Sequence, residues 1–157
     1  MWPARAEIKK RIEDAQVLYC RLILLVGRAQ TGKTAVLQAI AAEFSTPLIN
    51  VNLELSRRLL DLTERQRALQ TPRLFGEIVG EATGELVLLD NIEILFDVHL
   101  KQDPLRLLQR LSRNQTVVAA CNGSIVDGHM TYAVPDHPEY RRYPIRDFLV
   151  ASPEVKT

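Results

Sequence analysis

Gly27-Arg28-Ala29-Gln30-Thr31-Gly32-Lys33-Thr34 decides the fold of this 157-residue chain. It follows the apolar run Arg21-Leu22-Ile23-Leu24-Leu25-Val26 and opens a helical pattern from Ala35 to Phe44. Strand, glycine-containing loop and helix in that order, with the spacing G-x-x-x-x-G-K-[ST], make a phosphate-binding loop. Gly27 and Gly32 let the backbone turn tightly, so that its amides converge on a cluster of oxygens. The helix behind the loop adds the positive end of its dipole and its unpaired N–H groups. Lys33 sets a point charge against the β- and γ-phosphates, and the Thr34 hydroxyl is a ligand for Mg²⁺. The segment Gly27, Arg28, Ala29, Gln30, Thr31, Gly32, Lys33, Thr34 and Ala35 is therefore the expected seat of a nucleoside triphosphate. No guanine-reading N-K-x-D segment is present, which turns the choice of base toward adenine and the cofactor toward Mg·ATP.

Outward from the loop, apolar strands alternate with helical patterns. Arg21 to Val26 is a continuous apolar run of the kind buried on both faces of a sheet. Leu48 to Asn52 reads as a second strand, Glu85 to Asp90 as a third, Thr116 to Cys121 as a fourth and Asp147 to Ala151 as a fifth. Between them the pattern predicts helices over Ala35–Phe44, Glu54–Leu62, Thr71–Glu81 and Asp103–Arg113. The last two open on a capping residue followed by proline, Thr71-Pro72 and Asp103-Pro104. Asp61 to Gln70 fits either a loop or a helix extension. A further helix begins at Pro3 or Ala4 and reaches about Leu18, with Ile8, Ile12, Ala15 and Tyr19 on one apolar stripe. Such alternation predicts an α/β fold with an open, five-stranded parallel sheet and helices on both faces, in one domain.

Composition excludes several classes. A net charge of +1 gives no global field toward nucleic acid or membrane. Apolar runs of about six residues are far too short to span a bilayer, and Trp2-Pro3-Ala4-Arg5 lacks the apolar centre of a signal peptide. Cys20 and Cys121 border apolar runs and have no C-x-x-C spacing, so they read as small core residues of a cytoplasmic protein. His99, His129 and His137 have no metal-ligand spacing.

The chemistry is expected at the strand ends. Asp90 closes an apolar strand downstream of a phosphate loop, where its carboxylate holds Mg²⁺ opposite Thr34. Many hydrolysing proteins of this architecture carry Glu directly after that acid to activate water. Here the position is Asn91, which orients a water but takes no proton at neutral pH. Glu93 is the nearest substitute, two residues on. Asn122, after the fourth strand, can bond the γ-phosphate or the lytic water, or simply serve the turn before Gly123. Arg141 and Arg142 are candidates for a charged finger presented to a neighbouring subunit, or else a solvated pair. Arg106, Arg110 and Arg113 form a helical stripe that reads as a wet face.

Gly27 to Thr34, Leu86-Val87-Leu88-Leu89-Asp90-Asn91, Leu100-Lys101-Gln102-Asp103-Pro104-Leu105, Leu111-Ser112-Arg113-Asn114 and His137-Pro138-Glu139-Tyr140 together resemble BrxF, the small P-loop family of type 3 BREX phage-defence systems. The similarity spans essentially the whole chain, and its specific parts are the Leu-Leu-Asp-Asn and His-Pro-Glu-Tyr segments. It implies an AAA+-like core with strand order 5-1-4-3-2, and partners among the other BREX components. It also implies service against phage DNA, with DNA contact direct or through those partners. One departure from the wider AAA+ pattern is expected: the chain ends at Thr157, a few residues after the fifth strand, without room for a C-terminal helical lid.

Four functions compete on these residues, the last a purely structural adaptor with a vestigial loop. One is an ATP-binding regulatory subunit whose nucleotide occupancy sets homo-oligomerisation or partner engagement, with weak or partner-dependent hydrolysis. Another is a competent ATPase acting on DNA that draws on Glu93. The third is a small-molecule kinase, for which Asp61 to Pro72, with Arg65, Arg67 and Arg73, is the conceivable acceptor segment.

Overall fold

In the computed structural model, which describes Trp2, residues 5–82 and residues 84–153, apolar periodicity becomes layers. The chain runs Arg5–Asp14 (α1), Leu22–Gly27 (β1), Lys33–Phe44 (α2), Leu48–Asn50 (β2), Val51–Leu59 (α3), Glu64–Gly80 (α4) and Leu86–Asp90 (β3). It continues through Pro104–Leu111 (α5), Thr116–Asn122 (β4), Ser124–Val126 (β5), His129–Tyr132 (β6), Arg141–Pro144 (β7) and Leu149–Ala151 (β8). Short 3-10 turns occupy Ala15–Val17, Ile92–Phe96 and Val98–Leu100.

Five strands form a parallel sheet in the order β2-β3-β4-β1-β8. With β8 as the fifth strand of the core, this is the expected 5-1-4-3-2 arrangement. Every residue of β1 is buried, because side chains alternate between two covered faces. Leu22, Leu24 and Val26 pack with Leu55, Phe75, Ile78 and Leu108 from α3, α4 and α5. Ile23 and Leu25 point the other way, onto Ile8 and Ile12 of α1 and Leu37 and Ile40 of α2. These two apolar layers hold the carboxyl ends of β1, β3 and β4 at one edge, where the phosphate loop begins. Among the described residues no helix is long and apolar enough to cross a membrane.

Several boundaries differ from the sequence expectation, each for a local reason. Thr71-Pro72 does not start a helix, since α4 begins seven residues earlier at Glu64. Its start is fixed by a capping box: Gln66 N–H donates to Thr63 Oγ1 at 3.2 Å and Thr63 N–H to Gln66 Oε1 at 2.9 Å. Pro72 therefore sits inside the helix, where it has no N–H for the Ala68 carbonyl. Gln102 supplies the missing donor, its Nε2 lying 2.8 Å from that oxygen and 2.6 Å from the Leu100 carbonyl. The second strand ends at Asn50, whose side chain accepts from Leu53 N–H at 3.1 Å and caps α3, so Val51 and Asn52 are helical. Tyr19 leaves the α1 stripe because the helix ends at Asp14; the ring is 73% exposed under the Arg113 guanidinium. The expected helix start at Pro3 or Ala4 and the chain end at Thr157 lie outside the described residues.

The largest difference is a second, three-stranded antiparallel sheet, β5-β6-β7, in a segment without a predicted strand. Its first hairpin turns at Asp127-Gly128, both at positive φ, the conformation that a two-residue Asp-Gly turn favours. Buried Met130 and Tyr132 fasten it to the core, with the Tyr132 ring stacked on Phe96 at 3.7 Å between centroids.

Candidate nucleotide site

The loop after β1 turns at Gln30 (φ 63°) and Gly32 (φ 95°) and hands directly to α2, with Gly32 as its N-cap. A cavity of about 430 Å³ opens at the strand ends. Ala29, Gln30, Gly32, Lys33 and Thr34 line one side of it, and Asp90, Asn91 and Asn122 the other. Gly27, Thr31 and Ala35 do not line it. The first two shape the outer side of the loop, and Ala35 is exposed in the first turn of α2. Arg28 lines a neighbouring cavity of about 350 Å³ with Tyr132, His137 and Glu139.

Lys33 is buried and folds back on its own loop. Its ammonium donates to the Gly27 carbonyl at 3.0 Å and the Arg28 carbonyl at 2.5 Å. Burial pulls its pKa below the ordinary lysine value, a trend opposed by Glu93 and Asp90. Thr34 Oγ1 donates to Asp90 Oδ2 at 2.7 Å, and the other carboxylate oxygen accepts from Asn91 N–H at 2.9 Å. A hydroxyl and a buried carboxylate in contact at a phosphate loop fit Mg²⁺, a hard cation that takes few protein oxygens and keeps its waters. No cluster of three or more His, Cys, Asp or Glu able to hold a metal occurs among the described residues.

Asn91 adopts a left-handed conformation (φ 56°, ψ 49°), which asparagine tolerates better than most side chains. The chain then coils through Ile92–Phe96 and brings Glu93 back beneath the strand ends. Asn122 Nδ2 donates to Glu93 Oε1 at 2.7 Å. Oε2 is buried with no hydrogen-bond partner among the described residues. Burial raises the Glu93 carboxyl above the ordinary carboxylate range, Asp90 adds to the rise, and Lys33 opposes it. Glu93 is thus a half-buried acid of raised pKa, coupled to the phosphate-loop lysine and bonded by an amide of the cavity wall, and does not itself line the cavity. Cys121 beside it is fully buried, its thiol pushed up to about 12 by burial, and is inert at neutral pH.

Not every expected residue reaches this cavity. Arg141 and Arg142 are exposed on β7 and absent from its lining; the Arg141 guanidinium donates instead to the Gln102 carbonyl at 2.9 Å. Arg106, Arg110 and Arg113 are exposed, as a wet stripe should be. Arg67 and Arg73 of the conceived acceptor segment bond within α4 and its approach, to the Leu62 carbonyl and to Glu77. The sequence reading missed Trp2, whose indole N–H donates to the Thr31 carbonyl at 2.8 Å. It also missed Gly123, whose N–H donates to the Gly27 carbonyl at 3.0 Å. Nothing in their spacing announces either contact.

The model of the AAA family, "ATPase family associated with various cellular activities", matches residues 23–125, and the chain belongs to that family. No curated protein sequence matches it. Among solved structures it is similar to PCH-2 of C. elegans, with 17% identity and a TM-score of 0.49, over 94% of this chain and 41% of that one. It is also similar to DnaA of Aquifex aeolicus bound to AMPPCP, at 19% identity and a TM-score of 0.39, over 73% and 36%. The chain thus spans about two-fifths of the length of these structures.

Proposed function

We propose that this AAA-family chain is a Mg·ATP-dependent switch subunit that hydrolyses its nucleotide slowly, with Glu93 as the base that activates water. The observation that carries the proposal is the bond from Asn122 to Glu93 at the edge where Lys33, Thr34 and Asp90 meet. In this reading the loop amides and Lys33 take the β- and γ-phosphates. Thr34 and Asp90 would hold Mg²⁺, which would neutralise charge on the phosphate oxygens. Asn122 releases or shares Glu93 when a γ-phosphate arrives, and the freed carboxylate accepts the proton of the attacking water. Asn91 serves the backbone turn. Burial of Glu93 and its oxygen without a partner among the described residues disfavour the charged form that a base needs, until a partner or nucleotide reorders it.

The BrxF-like segments support the setting: a cytoplasmic subunit of a BREX-type antiphage complex, whose occupancy controls self-assembly and engagement of partners or DNA. Exposed Arg141 and Arg142 suit a finger offered to a second copy, since Arg141 is held by a single backbone carbonyl. The kinase reading has no comparable support, because the segment conceived as its acceptor site bonds within α4.

Light scattering and phosphate release on purified protein test the proposal. Mg·ATP should raise the mass of wild type but not of Lys33→Ala, and phosphate should accumulate slowly and only with wild type. Unchanged mass with no release above the Lys33→Ala background, with and without DNA, would rule the switch out. Co-purification with BREX components in the presence of a non-hydrolysable analogue tests the setting separately.

A further inference from the structure

Trp2 lies beside the phosphate loop, next to the open space over Gly27 and bonded to the Thr31 carbonyl. A Cβ on Gly27 would stand 2.9 Å from Thr31 Oγ1 and 3.1 and 3.4 Å from two carbons of the indole, so the missing side chain makes room for both. A Cβ on Gly32 would lie 3.8 Å from the indole nitrogen. That nitrogen donates to the Thr31 carbonyl at 2.8 Å.

A loop that offers its amides to an anion must place its carbonyls elsewhere. Gly27 O accepts from Gly123 N–H and from Lys33, and Arg28 O accepts from Thr31 Oγ1 at 2.8 Å and from Lys33. Thr31 O takes its donor from Trp2. In a trans peptide the carbonyl of one residue and the N–H of the next point in opposite directions. Holding Thr31 O outward therefore turns Gly32 N–H inward, and Gly32 lines the cavity. Without a Cβ, Gly32 is also where this peptide plane flips most easily.

We infer that Trp2 is a positioning residue for nucleotide binding, a lock that keeps the Thr31–Gly32 peptide turned so that its N–H meets the phosphates. The inference rests on the nucleotide reading of the site and adds a residue to it. The lock acts through the backbone and touches no phosphate, so its loss weakens affinity without abolishing the site.

Trp2→Phe keeps a ring and removes the N–H. Calorimetric titration with Mg·ATP should show affinity about five- to tenfold weaker than wild type, the effect of one lost hydrogen bond, with a melting temperature lowered by no more than a few degrees. Affinity for Mg·triphosphate should fall by the same factor, since the lock acts on the phosphate contacts alone. Trp2 is the sole tryptophan, so its emission in wild type should shift on the same titration. Wild-type affinity in Trp2→Phe, or a loss seen with Mg·ATP but not with Mg·triphosphate, overturns the role of Trp2 alone. Wild type that binds no Mg·ATP overturns the nucleotide reading itself.

Discussion

Asn122 at the end of β4 and Glu93 in the turn after β3 are joined side chain to side chain at 2.7 Å. The bond links two strand ends, and it leaves Glu93 with one satisfied and one unsatisfied oxygen. Lys33 and Asp90 both act electrostatically on that acid. The following outcomes depend on this arrangement and on the contacts that hold it.

Glu93→Gln keeps an acceptor for Asn122 and removes the proton acceptor. Phosphate release should fall about 10²-fold or more, while Mg·ATP affinity measured by calorimetry stays within a few-fold of wild type. Equal losses in rate and affinity would instead mean that Glu93 shapes the pocket.

The raised pKa of Glu93 sets two opposite pH trends. As the base it works only when ionised, so phosphate release should climb as pH rises through its shifted value, above the ordinary carboxylate range. Stability runs the other way. A carboxyl whose folded pKa lies above its unfolded value binds more protons when folded, so its contribution is full below the unfolded value and is lost as pH rises through the folded one. Thermal melting from acid to neutral pH should show this decline in wild type and a flatter profile in Glu93→Gln.

Asp90→Asn removes the charge that Thr34 contacts and that Mg²⁺ needs. The variant should retain much of its affinity for metal-free ATP and lose most of the gain that Mg²⁺ confers, read as two titrations with and without the ion. Lys33→Ala should lose binding in both.

Gln102→Ala strips donors from the Ala68 and Leu100 carbonyls and should destabilise the protein by about 1–3 kcal/mol in urea unfolding. Pro72→Ala restores an N–H to the α4 ladder. In that background the penalty of Gln102→Ala should shrink, because Ala68 no longer depends on the side chain. A double-mutant cycle isolates the coupling.

Gly123→Ala would place a Cβ 2.3 Å from the Thr131 carbonyl, a backbone atom that yields little. The hairpin must then separate from β4 or shift with it. A loss of about 1–3 kcal/mol is expected, read by urea unfolding, together with weaker nucleotide binding through the Gly123–Gly27 bond.

The core was legible because its signals are local. Val26 leading into Gly27 and Leu89 into Asp90 name a strand, its end and the chemistry there, and the two apolar layers follow from alternation in β1. What escaped depended on distant partners. Pro72 reads as a helix start until Gln102 is seen filling the gap behind it, although Thr63-x-x-Gln66 did carry a start signal. Asp127-Gly128 likewise announced a hairpin, but its strands are only three and four residues long, and core contacts of Met130 and Tyr132 make them worth folding. Glu93 was visible as a candidate and undecided, since the direction of a side chain three residues past a strand depends on the dihedral angles between, above all the first of them.

That angle belongs to Asn91, and it bears on any attempt to rebuild the site. Writing Glu into position 91 would match the motif of hydrolysing relatives letter for letter. Its side chain would leave the backbone from a left-handed residue, a conformation glutamate adopts reluctantly, and would add a second charge beside Asp90. The turn that delivers Glu93 would be strained by the very substitution meant to supply a base. Homologous positions around this site are better aligned by backbone conformation than by residue count, and repairing the motif on paper would dismantle it in the molecule.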